Sequence, residues 1–287
     1  MLTKEVFDNP HIAVVIVVYN ITVSNSISYQ ELRKTDYYKN LHLIIVDNSE
    51  VESDNESFCN DIKVEYINMH GNKGLSKAYN AAVNRAIMDD AIVLMDDDTE
   101  ITNEYFIELY KSMKDYPDVD IFAPIVYGQD GRIYSPNEYG FLRNHFISNP
   151  RQSIRKDLFN AIASCLAIRM RVFANYRFNE YLFMDQVDQN FFYDMRKQER
   201  LFQKLPVYIH QNFYQRGEKI NSDDAWKRLS LRIKDIIRQG KMYGKGYPLL
   251  SWIKCLGLGV QIGKKSMSVM VILRAWILCT VMLLKPE

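Results

Sequence analysis

Ala91-Ile92-Val93-Leu94-Met95-Asp96-Asp97-Asp98-Thr99 is the stretch around which the chain is organised. Its first five residues are apolar and rich in β-branched or bulky side chains, and they read as a short buried strand. Three carboxylates follow where that strand should end. Like charges this close repel, and burying each one unpaired costs several kcal/mol. A bound divalent cation removes the cost, and hard oxygen ligands suit Mg²⁺ or Mn²⁺. The plainer reading is a solvated acidic turn capping the next helix, with Thr99 or Asp98 as N-cap. The stretch alone does not separate the two.

Working outward, residues 11–18 form a continuous apolar run that reads as a central parallel strand ending at Tyr19-Asn20. A partly helical polar segment over 24–32 leads to a second strand, 41–46, ending at Asp47-Asn48-Ser49. The spacing is right for a crossover helix. Residues 62–67 alternate as a more exposed third strand. The loop Asn68-Met69-His70-Gly71-Asn72-Lys73-Gly74-Leu75 then opens an Ala-rich helix over 76–88. Beyond the aspartates, the pattern predicts a helix over 102–114 and a buried strand over 119–126. Residues 128–160 read as irregular, and 161–173 as a strand running into a helix. A helix over 189–199 and a strand over 204–210 complete the body.

This alternation predicts an α/β open sheet, mostly parallel, with ligands at the carboxyl ends of its strands. Tyr19-Asn20, Asp47-Asn48 and Asp96–Asp98 then converge on one crevice. Each could be an ordinary turn; three at successive strand ends are harder to treat that way.

The chain has 287 residues, 47% of them apolar, enough for one sizeable core with an appendage. A formal net charge of +1 argues against a nucleic-acid partner. The charge is unevenly placed, however. Residues 226–287 hold 12 Lys/Arg against 2 Asp/Glu, whereas residues 1–225 hold 24 against 33. A basic tail on an acidic body points to an anionic partner such as a phospholipid surface. Cys59, Cys165, Cys255 and Cys279 are scattered, which fits a reducing cytosol rather than a disulfide framework or a zinc site. Residues 1–5 are charged and lack the apolar core of a signal peptide.

Four pieces in order carry a resemblance: Val17-Val18-Tyr19-Asn20, Ile44 to Ser49, Gly71 to Asn80, and Met95 to Asp98. In this order they resemble the inverting family 2 glycosyltransferases, whose GT-A fold is a Rossmann-like nucleotide-diphospho-sugar transferase sheet. The resemblance covers about residues 10–215. Within the family, Leu182-Phe183-Met184-Asp185-x-x-Asp188 is similar to rhamnosyltransferase-like and galactofuranosyltransferase-like enzymes of cell-surface polysaccharides.

The resemblance implies a catalytic unit over 1–215, with a nucleotide-binding half at about 10–100 and an acceptor half at about 101–215, and a helical segment over 216–287. It implies a UDP- or dTDP-sugar donor, Mn²⁺ or Mg²⁺, and a glycan acceptor, lipid-linked in the membrane setting. Donor contacts fall to Tyr19, Asn20, Asp47, Asn48, Asn72, Gly74, Lys77, Asn80, Asp96 and Asp97. In detail, Tyr19 and its neighbours line the base, Asp47 accepts from the ring N–H, and Gly74 lets backbone approach the nucleotide. Lys77 or Asn80 lies near ribose or phosphate, and Asp96 and Asp97 face the ribose and donor sugar. Asp98 and His210 are the implied metal ligands. Asp188 is the implied general base, with Asp185 as runner-up. Relatives often pair two adjacent acids where this chain separates Asp185 and Asp188, and Asn190 stands where they often carry an acid.

Residues 226–245 form a basic pattern with Leu229, Ile233, Ile236 and Ile237 on one helical face. Such a helix lies on an anionic membrane or packs back on the body. Residues 266–284 are apolar except for Arg274, a 19-residue run that just reaches spanning length. A mid-span arginine is costly in a bilayer, so an interfacial or protein-packed helix is expected, with Trp252 and Trp276 suited to an interface. The expected location is cytoplasmic, peripheral at the inner or plasma membrane; self-association is left open.

Two other classes fit the residues less well. A haloacid-dehalogenase-like phosphatase needs Asp-x-Asp-x-Thr/Val, and Glu100 breaks that spacing. A non-catalytic membrane-associated sugar or nucleotide binder would not need both Asp98 and Asp188.

Overall fold

The computed structural model describes residues 9–211 and 221–285. The amino-terminal reading of residues 1–5 and the proposed boundary at 215 lie outside the described residues. In chain order the elements are β1 (Ile12–Val18), α1 (Ile27–Leu32), β2 (His42–Asp47), α2 (Asn55–Ile62), β3 (Glu65–Asn68), α3 (Leu75–Arg85), β4 (Ala91–Asp96) and α4 (Asn103–Asp115). Next come β5 (Ile121–Gly128), β6 (Ile133–Ser135), β7 (Asn137–Glu138), β8 (His145–Phe146), β9 (Phe159–Asn160), β10 (Leu166–Arg169), α5 (Val187–Lys197) and β11 (Phe202–Gln211). Three helices follow: α6 (Ser222–Tyr243), α7 (Tyr247–Lys265) and α8 (Val269–Leu284).

The main sheet has the order β11-β5-β10-β4-β1-β2-β3, with β6 added against β5. β1 pairs parallel with both β2 and β4, and β2 with β3. β10 enters antiparallel between β4 and β5, and β11 returns parallel to β5. The sheet is therefore mixed but mostly parallel, as expected. Every residue of β1 is buried, which explains its unbroken apolar run. Alternate residues feed two cores: Ala13, Val15 and Val17 pack with α3 and α5, while Ile12, Val14, Ile16 and Val18 pack with α1 and α4.

Two local expectations are corrected. Residues 55–62 form α2, so Ile62 ends a helix rather than starting a strand, and β3 begins at Glu65. Part of the irregular stretch 128–160 is a small antiparallel sheet, β8-β7-β9. Residues 247–265, for which no separate element is expected within the helical segment, form α7, and α6, α7 and α8 each pack against the other two.

The last three helices share a core of Leu229, Ile233, Ile236, Ile237, Cys255, Val271, Ala275 and Cys279. Small residues permit the close packing. A Cβ on Gly259 would lie 2.9 Å from the Ala275 Cβ. The apolar face of α6 is thus spent inside this bundle and is not free to lie on another surface. Among the described residues no helix is long and apolar enough to cross a membrane. All four cysteines are free and buried.

Candidate active site

Parallel pairing of β1 with β2 and β4 sets Val18 beside Asp47 and Val17 beside Asp96. The three polar strand ends therefore open at one edge of the sheet. The turn after β4 is stapled from below by α1. The Ser28 hydroxyl lies 2.5 Å from the Asp96 carbonyl and accepts the Thr99 amide at 2.8 Å. The Ser26 hydroxyl, at the N-cap of α1, donates to the Asp97 carbonyl at 2.9 Å. Helix α4 begins only at Asn103, with Thr102 at its N-cap. Neither Asp98 nor Thr99 caps it, so helix capping does not account for the aspartates.

Their electrostatics are those of crowded acids. Burial, followed by repulsion from Asp96 and Asp97, pushes the Asp98 carboxyl up to about 6. Burial likewise raises Asp96, against the hydrogen bonds of Gln211 and Ser164 and the charge of Arg228. Burial and then Asp96 raise Asp97, whose Oδ2 meets the Tyr19 amide at 3.4 Å.

β11 reaches this cluster with Gln211, not His210. Gln211 Nε2 donates to Asp96 Oδ2 at 3.1 Å and to Asp98 Oδ1 at 3.3 Å. The Ser164 hydroxyl donates to Gln211 Oε1 at 2.6 Å and lies 3.3 Å from Asp96 Oδ2. Along β11, Leu205, Val207, Ile209 and Gln211 face inward, so His210 projects outward. Its ring stacks on Tyr127, with centroids 5.8 Å apart. The expected histidine contact with the metal is thus corrected by strand parity.

Asp188 is half-buried in the first turn of α5. Its Oδ2 accepts the Ala163 amide at 3.2 Å, one residue before the serine that reaches Asp96. Burial, then repulsion from Asp96, raises this carboxyl to about 7. Asp185 is engaged elsewhere, 3.5 Å from Arg228 and 3.8 Å from Arg232 of α6. Asn190 donates to Asp194 at 3.0 Å inside α5.

On the nucleotide side, Asp47 is buried beneath the crevice. Its Oδ2 accepts from Asn55 at 2.7 Å and Tyr66 at 3.0 Å, and its Oδ1 from the Ser49 amide at 3.0 Å. Burial opposes its charge, but these bonds from Ser49, Asn55 and Tyr66 hold its carboxyl below the usual range. Asn48 donates to Asn72 at 3.1 Å and accepts the Lys73 amide at 2.7 Å, tying β2 to the loop before α3. Tyr19 is exposed, and Asn20, at φ 54°, accepts the Glu50 amide at 3.0 Å. Lys77 is exposed in the first turn of α3.

Two donor-side expectations change. Asn80 is buried: it accepts the Phe178 amide at 2.8 Å and donates to the Phe178 carbonyl at 2.9 Å and to Glu180 at 3.0 Å. Its amide holds that loop and is not free for ribose or phosphate. Gly74 has φ +88°, and a Cβ there would lie 2.5 Å from the Phe183 carbonyl oxygen. The close approach that demands glycine is made by the protein's own 183 peptide.

Sequence reading missed Gln211, Ser164, Ser26 and Ser28. Only Gln211 carried a signal, the two-residue alternation Leu205-Val207-Ile209. The serines carry none, because their roles exist only once distant segments meet.

The mixed sheet, with aspartates ending β4 and a carboxylate opposite on α5, defines a GT-A-type fold. A family model described as "Glycosyl transferase family 2" matches residues 13–177, more than half of the chain, and the chain belongs to that family. Among solved structures, the fold is similar to Staphylococcus aureus TarS 1-349, at 16% identity and TM-score 0.54, over 95% of this chain and 80% of that one. It is similar to the same TarS fragment in complex with UDP, at 15% identity and TM-score 0.52, over 79% of this chain and 65% of that one. GalNAc-T7 with UDP, GalNAc and Mn²⁺ aligns at 13% identity and TM-score 0.59, over 91% of this chain and 55% of that one. The chain thus spans about two thirds or less of the UDP-bound chains it resembles. A search of curated protein sequences gives no match.

The donor set fits a divalent cation shared with a substrate. Among the described residues, no three His, Cys, Asp or Glu side chains form a closed metal cage. Three carboxylates pushed toward protonation nevertheless crowd one turn. Mg²⁺-type sites commonly use one or two carboxylates and take their remaining ligands from substrate phosphates and water.

Proposed function

We propose that the chain moves a sugar, with inversion, from a UDP- or dTDP-sugar to a surface-glycan acceptor, using Mn²⁺ or Mg²⁺. The observation that carries this reading is the pairing of the Asp96–Asp98 turn with Asp188 across the adjacent residues Ala163 and Ser164. A cation bound by Asp98 would neutralise charge on the leaving diphosphate. Gln211 orients Asp98 and Asp96 for that task. Asp96 and Asp97 face the donor's sugars. Asp47, kept ionised, serves as acceptor for the pyrimidine ring N–H, with Tyr19, Asn20, Asn48 and Asn72 around the base. Asp188 takes the proton of the attacking acceptor hydroxyl, a role worth about 10²–10⁴-fold in rate. Both structural neighbours crystallised with UDP support the choice of donor. A panel of nucleotide sugars scored for cation-dependent release of nucleoside diphosphate tests the reading. Binding without turnover of any donor would favour the non-catalytic binder.

The acceptor is proposed to be lipid-linked, met at an anionic membrane surface on the cytoplasmic face. The outer side of α8 supports this. Val269, Met270, Leu273, Ile277, Val281 and Leu284 are each 46–76% exposed. Exposed Lys264, Arg274 and Lys285 accompany them. A basic-rimmed apolar helix face suits anionic lipid. Sedimentation with phosphatidylglycerol vesicles, abolished by L273E/I277E, is the expected result. Equal binding to neutral phosphatidylcholine vesicles, or burial of this face in a stable dimer, would contradict it.

A further inference from the structure

Helix α6 enters the catalytic half through one carboxylate. Asp235 is fully buried. Its Oδ1 accepts the Phe183 amide at 3.0 Å, and its Oδ2 accepts the Met184 amide at 2.7 Å and the Asp185 amide at 3.0 Å. Three successive peptide groups are thereby fixed on one side chain. Arg238, one turn along α6, lies 3.5 Å from Oδ1 as counter-charge. Arg228 and Arg232 of the same helix hold Asp185.

The far side of this peptide run meets the donor loop. The Phe183 carbonyl accepts the Leu75 amide at 2.6 Å, at the start of α3. Gly74 is the residue that lets the two backbones come this close. In the other direction the run passes through Gln186, at φ 68°, into Asp188. Only two residues separate the last clamped peptide from the proposed base. A left-handed residue that is not glycine persists only where its surroundings hold it. Asp235 is part of that hold.

We propose that Asp235 is a positioning residue for the transfer reaction, fixing the 183–185 peptides so that Asp188 keeps its working geometry. The helical unit is then part of the active centre rather than an appendage to it. The inference rests on Asp188 being the base, and its test separates the two.

The test is a double-substitution cycle on the full-length protein, reading kcat and donor KM with Mn²⁺ present, alongside thermal unfolding and Kd for UDP. D235N keeps the side-chain shape but turns an N–H toward donors. D235S keeps a single oxygen acceptor. The expected result is a kcat lower by about tenfold or more in a folded variant, as small misplacements produce, with UDP affinity within about threefold. In a D188N background, D235N should lower the residual turnover no further, because the two act as one unit. Full kcat in D235N, an undiminished further loss in the D188N background, or failure of both variants to fold would overturn the inference. Full activity in D188N would instead remove the base assignment.

Discussion

Gln211 donates to both Asp96 and Asp98, at 3.1 and 3.3 Å, and through Ser164 it links the last strand of the sheet to the aspartate turn. An amide here orients the carboxylates without adding a charge. Replacing it should therefore loosen the cation rather than unfold the protein. Q211L is expected to weaken Mn²⁺ binding by about 10–100-fold, the usual cost of losing an outer-shell partner. H210A should leave it nearly unchanged. Calorimetric titration of Mn²⁺ in the presence of UDP distinguishes the two, and the reverse ranking would restore the histidine.

The glycine that the 183 peptide requires makes a second prediction. G74A adds a Cβ 2.5 Å from the Phe183 oxygen, at a φ that L residues seldom adopt. About 2 kcal/mol or more of stability should be lost, from backbone strain alone before the clash is counted. Chemical denaturation measures it. G71A, at φ +98°, is strained too but meets open space, so it should cost less.

The acid limb of activity follows from Asp188. Burial and Asp96 raise its carboxyl to about 7 in the protein alone. A base must be ionised, so turnover falls as pH drops through its working value. A cation beside Asp96 offsets the repulsion and moves that value down. The pH profile of kcat should show one acid limb at or below about 7, displaced upward at subsaturating Mn²⁺. A limb indifferent to cation concentration would contradict the coupling.

His42 gives a pH effect away from the site. Burial alone would lower its value, but hydrogen bonds to Asp89 at 2.8 Å and Glu65 at 2.9 Å outweigh it, and the imidazole is raised. A raised folded value means the stabilisation is complete below the unfolded value of about 6.5 and is lost as pH rises through the folded one. Stability of the wild type should thus decline across that window, and H42Q should flatten the decline. Unfolding midpoints from pH 5.5 to 8.5 provide the check.

Much of this was legible in the sequence where the pattern is local. β1, β2 and β4 are buried on both faces and announce themselves as apolar runs, and each ends in the polar residues that line the crevice. What stayed hidden is long-range. The parity of β11 is written in Leu205, Val207 and Ile209, and it turns Gln211 toward the aspartates and His210, the ligand that the resemblance implies, away from them. Asn80 and Gly74 matched a motif, but their partners, Phe178 and Phe183, lie about a hundred residues away in the chain. The sequence of α6 fits a membrane surface or packing on the body alike, because nothing local records that Asp185 pairs with Arg228 and Arg232.

The central claim is that the aspartate turn and Asp188 perform one reaction. The most direct measurement is release of nucleoside diphosphate from a panel of UDP- and dTDP-sugars, with and without Mn²⁺, by the wild type, D98A and D188A. The account predicts turnover of at least one donor that needs the cation, is lost in D98A and falls by about 10²-fold or more in D188A. Full turnover without a divalent cation, or full transfer activity in D188A, would contradict it.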